Sequence, residues 1–191
     1  MAYIRTIEPD DATPELAELY RRVANRDGTI DNVMRIHGLN PESLRTHFDM
    51  YAAALHRPSP LTRVEREMVA VVISRLNGCT YCLRHHGAGL KTLIGKERHR
   101  DADCLATGRL VDLPKREAAI VAYATKLTTN PQAMDPTDVA TLRAAGLDDR
   151  AILDLAQIIG YFNYVNRIVL GLGVQEEGGE FQIGQGPANA G

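Results

Sequence analysis

The chain has 191 residues, 45% apolar and 24% charged, with 22 Lys plus Arg against 24 Asp plus Glu and a formal net charge of −2. This is the composition of an ordinary globular protein of one domain's length, and so flat a charge balance gives no case for a nucleic-acid or anionic-membrane partner. The longest aliphatic run, residues 68–73, is far shorter than the roughly 20 residues that span a bilayer, and the first residues carry no apolar signal core, so a cytoplasmic protein is expected.

Helix signals follow one another along the chain. Thr13 and Pro14 read as N-cap and first helical residue, with Leu16, Leu19, Tyr20 and Val23 at helical spacing behind them. A short segment over residues 30–37 ends at Gly38. Asn40-Pro41 opens a longer helix carrying Leu44, Phe48, Tyr51 and Leu55, stopped near Pro58 and Pro60. Thr62 and Glu65 form a capping-box pattern before Met68, Val69, Val72, Ile73 and Leu76. Asn77-Gly78 interrupts that run, and a further helix extends through Leu90 to a break near Gly95. Residues 96–107 read as one helix closed by Gly108. Pro114 starts the next, and Asp135-Pro136 caps a short one ending at Gly146. Ile152, Leu155, Ile159, Phe162, Val165, Val169 and Leu172 make one apolar stripe over the last and longest helix.

No run of period-2 alternation competes with these signals. The expected fold is all-α, one compact multi-helix domain over residues 1–174. Residues 175–191 hold five glycines and one proline, which suits a flexible tail or an arm on a neighbouring subunit.

Three cysteines cannot pair off completely, and in a reducing compartment they are not expected to be structural disulfides. Cys104 reads as a small buried hydrophobe. Cys79 and Cys82 stand in a CxxC pattern, which in an intracellular chain favours redox chemistry or metal binding. A zinc site is the weaker of the two, because CxxC supplies two ligands where a structural site wants four and no second CxxC or HxxxH follows. No metal and no bound cofactor is therefore expected.

If a helix starts at the Gly78-Cys79 break, a rotation of about 100° per residue puts Cys82 roughly 60° from Cys79 and His86 roughly 20° from it, with His85 further round. Helical geometry thus selects His86 over its neighbour and pairs it with Cys82 at i,i+4. An ordinary thiol is only about 3% ionised at pH 7. Cys79 gains from the helix N-terminus, and Cys82, next to an imidazole, is expected to ionise about two pH units lower than usual. Glu67 lies twelve residues before Cys79 on the preceding helix. If the chain folds back at Asn77-Gly78, its carboxylate approaches His86 or Cys82 and orients the imidazole. Tyr81 and His85 are read as packing or outer residues of this region that could support the site from behind its reacting groups. Asn163 and Asn166 read as buried amides at a subunit contact. His37, His47, His56 and His99 have no partner that the sequence identifies.

The spacing Glu67-x11-Cys79-x2-Cys82-x3-His86 resembles the AhpD-like alkylhydroperoxidases of the carboxymuconolactone decarboxylase superfamily, over residues 61–90 most specifically. The stretch Tyr161-Phe162-Asn163-Tyr164-Val165-Asn166-Arg167 resembles the members called peroxidase-related proteins. The resemblance implies an all-helical fold, homo-oligomers (trimers or multiples such as hexamers), and reduction of a hydroperoxide at the expense of an external dithiol. It also implies roles: Cys82 as attacking thiol, Cys79 as resolving thiol, Glu67 and His86 as proton relay. One position departs. AhpD carries a His immediately before its second Cys, where this chain has Tyr81, so one relay element is missing. That departure motivates an alternative, a thiol-disulfide carrier or redox-responsive oligomer without peroxidase turnover. The superfamily's name suggests a third, a lactone decarboxylase, but decarboxylases of the group do not depend on a Cys pair.

Overall fold

The computed structural model describes residues 2–177, and among them every regular element is helical. The helices are α1 (Pro14–Val23), α2 (Asn32–Arg35), α3 (Pro41–Leu55), α4 (Arg63–Leu76), α5 (Thr80–Leu93), α6 (His99–Thr107), α7 (Lys115–Thr129), α8 (Pro136–Ala144) and α9 (Asp149–Leu172). They gather into two compact units. One holds the chain up to Arg57 together with the stretch from Arg167 onward, and the other holds Pro58–Asn166. The part of the Gly-rich tail after Glu177 lies outside the described residues.

The ends of the helices follow the local chemistry. Thr13, Asn40 and Asp135 each accept a backbone N–H of the helix they precede, and Pro follows each of them. Two expected boundaries move. Residues 96–107 split into a 3-10 turn, Lys96–Arg98, and α6, with Arg98 held to Asp101 and Glu117 at the join. Pro114 sits in the N-cap position of α7 rather than inside it.

In the first unit, Leu16, Tyr20, Val23, Met34, Leu44 and Phe48 form the core between α1, α2 and α3. Tyr20 closes it by donating its hydroxyl hydrogen to the Ile7 carbonyl at 2.8 Å. A Cβ at residue 38 would sit 2.5 Å from that hydroxyl oxygen, which explains Gly38. The first tail residues are tied to α2. Asn32 donates its side-chain amide to the Gln175 carbonyl at 3.0 Å and its backbone N–H to the Glu177 carboxylate at 2.7 Å.

The histidines without an expected partner acquire partners here. His37 and His47 stack with ring centroids 4.4 Å apart, His37 Nδ1 lies 2.8 Å from Ser43 Oγ, and Tyr51 meets the His56 ring edge-on at 4.9 Å. Burial, with the charge of His37 as a smaller contribution, holds His47 down at about 3, and burial lowers His37 as well. An unfolded His binds its proton near pH 6.5, so the unfolded chain takes up protons here before the folded one does. Stability is complete above about pH 6.5 and drains away as the pH falls toward 3. We expect about 2 kcal/mol of loss from His47 between pH 7 and pH 5. Urea titrations at the two pH values check this, and His47→Phe should remove most of the difference.

The second unit is built around α4. All ten residues from Glu65 to Ser74 are buried, as expected of a helix that is enclosed rather than amphipathic. Met68, Val71 and Val72 pack with Leu90 and Ile94 at the end of α5 and with Ala102 and Leu105 of α6. Three consecutive charged residues are carried inside, and each finds a partner, as burial demands. Glu65 accepts from Arg116 of α7 at 2.6 Å, Arg66 donates to the Leu61 carbonyl at 2.9 Å and 3.0 Å, and Glu67 meets α5. At the start of α4, Thr62 and Glu65 form the expected reciprocal capping box. Thr62→Ala frees one of those donors and should lower unfolding stability by about 1 kcal/mol, read as a shifted midpoint in urea with an unchanged slope.

Candidate dithiol site

The turn from α4 into α5 sets the position of the cysteines. Gly78 takes φ +69°, the left-handed conformation that ends a helix. The Gly78 N–H then bonds to the Arg75 carbonyl at 3.0 Å, and the Cys79 N–H to the Ser74 carbonyl at 2.8 Å. These two bonds are the Schellman pair. They make Cys79 the last residue of α4's capping turn. Cys79 is also the N-cap of α5, its carbonyl accepting from Leu83 N–H at 2.9 Å. A Cβ at residue 78 meets nothing within 4 Å, so the cost of a side chain there is that of the left-handed backbone, roughly 1 kcal/mol or more.

Cys79 and Cys82 are both free thiols, 0% and 4% exposed. They form a hydrogen-bonded pair, and their ionisation is shared between them. The Cys82 thiol donating to it, the Cys82 backbone amide, the Asn166 side chain and the charge of His85 together lower Cys79 to about 7, against the effect of burial. The bond to Cys79, burial and the neighbouring negative charge push Cys82 well up. The expectation placed the easily ionised sulfur at Cys82; here the bond between the two thiols favours the charge on Cys79, and two sulfurs in contact do not both ionise.

The fold-back at Gly78 brings Glu67 to His86. Glu67 Oε2 lies 2.7 Å from His86 Nδ1, with the Glu67 side chain 8% exposed and His86 17%. The edge of Phe162 from α9 packs against the His86 ring at 4.8 Å. Gly89, one turn beyond His86, faces the Glu67 carboxylate, and a Cβ there would meet it at 3.6 Å. His85 is half-buried, tilted against the buried Tyr81 ring at 4.4 Å, and its charge makes a small contribution at Cys79. Cys104 is buried on α6, away from this turn in sequence.

The site also contains a polar network that the spacing analysis does not foresee. The Asn77 amide donates to Asn163 at 3.2 Å and to Asn166 at 3.0 Å. Asn163 donates to Thr128 and to the Ile159 carbonyl, and Asn166, 0% exposed, donates to Ser74 Oγ at 3.3 Å. Asn163 and Asn166 therefore join α9 to the end of α4 within one chain. The α4–α5 hairpin holds a reduced vicinal dithiol and a largely buried carboxylate–imidazole pair, and α9 supplies an amide donor against the sulfurs. The arrangement suits thiolate chemistry with proton exchange. Among the described residues no group of three or more His, Cys, Asp or Glu is placed to hold a metal ion, and no helix is long and apolar enough to cross a membrane.

One family model and three solved structures resemble the chain. The family model of the Carboxymuconolactone decarboxylase family matches residues 41–105. An uncharacterized peroxidase-related protein from Silicibacter sp. TM1040 is 30% identical, with 90% of each chain covered and a TM-score of 0.80. A second, from Ralstonia eutropha JMP134 and described as an alkylhydroperoxidase AhpD core, is 27% identical over 97% of each chain, with a TM-score of 0.84. The debrominase Bmp8 in its apo form shares the fold at 20% identity, over 91% of each chain with a TM-score of 0.72.

Proposed function

The chain belongs to the AhpD-like carboxymuconolactone decarboxylase superfamily, and on that premise we propose that it is a CxxC-dependent thiol peroxidase. The observation that carries the reading is the buried 2.7 Å Glu67–His86 contact, held on the same α4–α5 hairpin as a reduced dithiol.

The cycle runs in three balanced steps. The Cys79 thiolate attacks one oxygen of a hydroperoxide. The O–O bond breaks, Cys79 becomes a sulfenic acid, and the departing alkoxide takes a proton through His86 and Glu67. Cys82 then attacks the Cys79 sulfur. Its thiol proton leaves with the hydroxyl group as water, and the Cys79–Cys82 disulfide forms. An external dithiol reduces that disulfide by exchange and is itself oxidised. The net reaction converts hydroperoxide and dithiol to alcohol, water and a disulfide.

Assigning the attack to Cys79 reverses the roles that the family resemblance implies. The reason is electrostatic. The sulfur that carries the first negative charge is Cys79, and Cys82 keeps the proton needed for the second step. Assembly into a threefold homo-oligomer is part of the same proposal.

The test is consumption of hydrogen peroxide and a small alkyl hydroperoxide by the reduced protein with a dithiol reductant present. Turnover with both is expected. Oxidation that is faster with a disulfide than with either peroxide would favour a thiol-disulfide carrier. Decarboxylation of a lactone that survives loss of both cysteines would favour the decarboxylase.

A further inference from the structure

We propose that Asn166 is a positioning residue for the redox pair: it presents its amide N–H groups to the sulfurs, and a chain of amides anchored on the Ile159 carbonyl fixes that orientation. The inference rests on the dithiol site described above and extends it to a residue on α9.

The direction of the amide follows from one unambiguous group. A backbone carbonyl only accepts. Asn163 lies 3.1 Å from the Ile159 carbonyl, so the group of Asn163 facing it is the NH2, and the Asn163 oxygen points the other way. That oxygen meets Asn77, which must therefore donate, at 3.2 Å. The same Asn77 NH2 reaches Asn166 at 3.0 Å, so Asn166 accepts there through its oxygen. Its NH2 is then left facing Ser74 Oγ at 3.3 Å and the two cysteine sulfurs. Had any one amide been reversed, Asn166 would have turned an oxygen toward the sulfurs, and a thiolate would have met a lone pair instead of a proton.

Three further observations fit this role. Asn166 is 0% exposed, so water does not replace its donors, and a hydrogen bond to a charged acceptor in such surroundings is among the stronger kinds. Ser74, which takes one of the Asn166 N–H groups, also supplies the carbonyl that holds the Cys79 N–H. One residue of α4 thereby ties the amide network to the backbone of the cysteine turn. Finally, interaction with Asn166 favours the charged form of both sulfurs, so the residue serves the pair whichever sulfur carries the charge at a given step.

The experiment is the pH dependence of iodoacetamide alkylation of the reduced, full-length protein, with variants Asn166→Asp and Asn166→Ser. Aspartate keeps the shape and the acceptor for Asn77 but removes the donors and adds a negative charge, so Asn166→Ser, which adds none, is the measure of the donors alone. The alkylation midpoint should rise from about 7 by about one pH unit in either variant, which makes alkylation at pH 6 about tenfold slower. If Asn166→Asp does not fold, Asn77→Ala tests the same chain from its middle. It leaves every group at the sulfurs in place, frees the Asn166 amide to turn, and should move the midpoint in the same direction by less. A midpoint unchanged in the folded variants overturns the proposal. This readout needs no peroxide. A protein without peroxidase turnover whose midpoint still moves would sink the proposed function and leave the role of Asn166 standing. Turnover with an unmoved midpoint would do the reverse.

Discussion

Replacing Cys79 by serine is expected to lower hydroperoxide turnover by more than about 10³-fold, because it removes the atom that reacts rather than one that assists. Serine preserves the size of the N-cap residue and strengthens its capping, so helix content and thermal midpoint should hold while activity disappears. The companion variant Cys82→Ser separates the two sulfurs. Its hydroxyl still donates to Cys79, so a single oxidation should proceed and stop at a sulfenic acid that a dimedone-type reagent traps on Cys79. Steady-state turnover should be lost, since no second thiol is in reach to form the disulfide. Trapping of the sulfenic acid only in the Cys79→Ser protein would restore Cys82 as the attacking thiol without touching the peroxidase assignment. The pH profile carries a sign of its own. Thiolate forms as pH rises, so single-turnover oxidation by peroxide should increase through about pH 7 and level off above it. An ordinary thiol would still be gaining rate near pH 8.5.

The second large effect is expected at Glu67. Glu67→Gln keeps the side-chain volume inside α4 and an oxygen for the His86 ring, but it deletes the carboxylate that lies 2.7 Å from His86 Nδ1. A positioned acid–base group contributes about 10²–10⁴ in rate, so kcat/KM for hydroperoxide should fall about 10²-fold. If Glu67 and His86 act as one unit, His86→Gln should cost a similar factor, and the double variant should be little worse than either single one. Additive losses would mean that the two side chains serve the reaction separately. Because Glu67 is buried, thermal unfolding of each variant belongs beside the kinetics. A drop in activity that tracks a drop in folded fraction would assign Glu67 to stability alone.

Much of this architecture could be read from the chain because its helices are bounded by residues whose local chemistry is strong. Thr13, Asn40, Thr62 and Asp135 accept orphan N–H groups, and Gly78, Gly108 and Gly146 adopt the positive φ that ends a helix. The approach of Glu67 to His86 was legible for a related reason. A tight turn at Gly78 forces the two helices to run back along each other, and helical periodicity then fixes which faces meet. The ionisation order of the two thiols was not legible. It depends on how two sulfurs and a buried amide share one charge, and Asn166 is 87 residues away from Cys79 in sequence (166 − 79). The contact of His85 with the Tyr81 ring four residues before it follows helical spacing, but its effect on Cys79 does not show on a helical wheel. The amide chain through Asn77, Asn163 and Asn166 has no periodic signature, since each link joins α4 or its cap to α9 across a long sequence gap.

The seal over the sulfurs has a consequence for survival in an oxidising burst. If Cys79 is the sulfur oxidised, a second peroxide has to reach a residue that is 0% exposed to drive it on to the sulfinic acid, from which simple thiols offer no return. The neighbouring thiol competes from within contact distance and needs no diffusion at all. On the proposed cycle, burial therefore slows over-oxidation more than it slows closure of the disulfide.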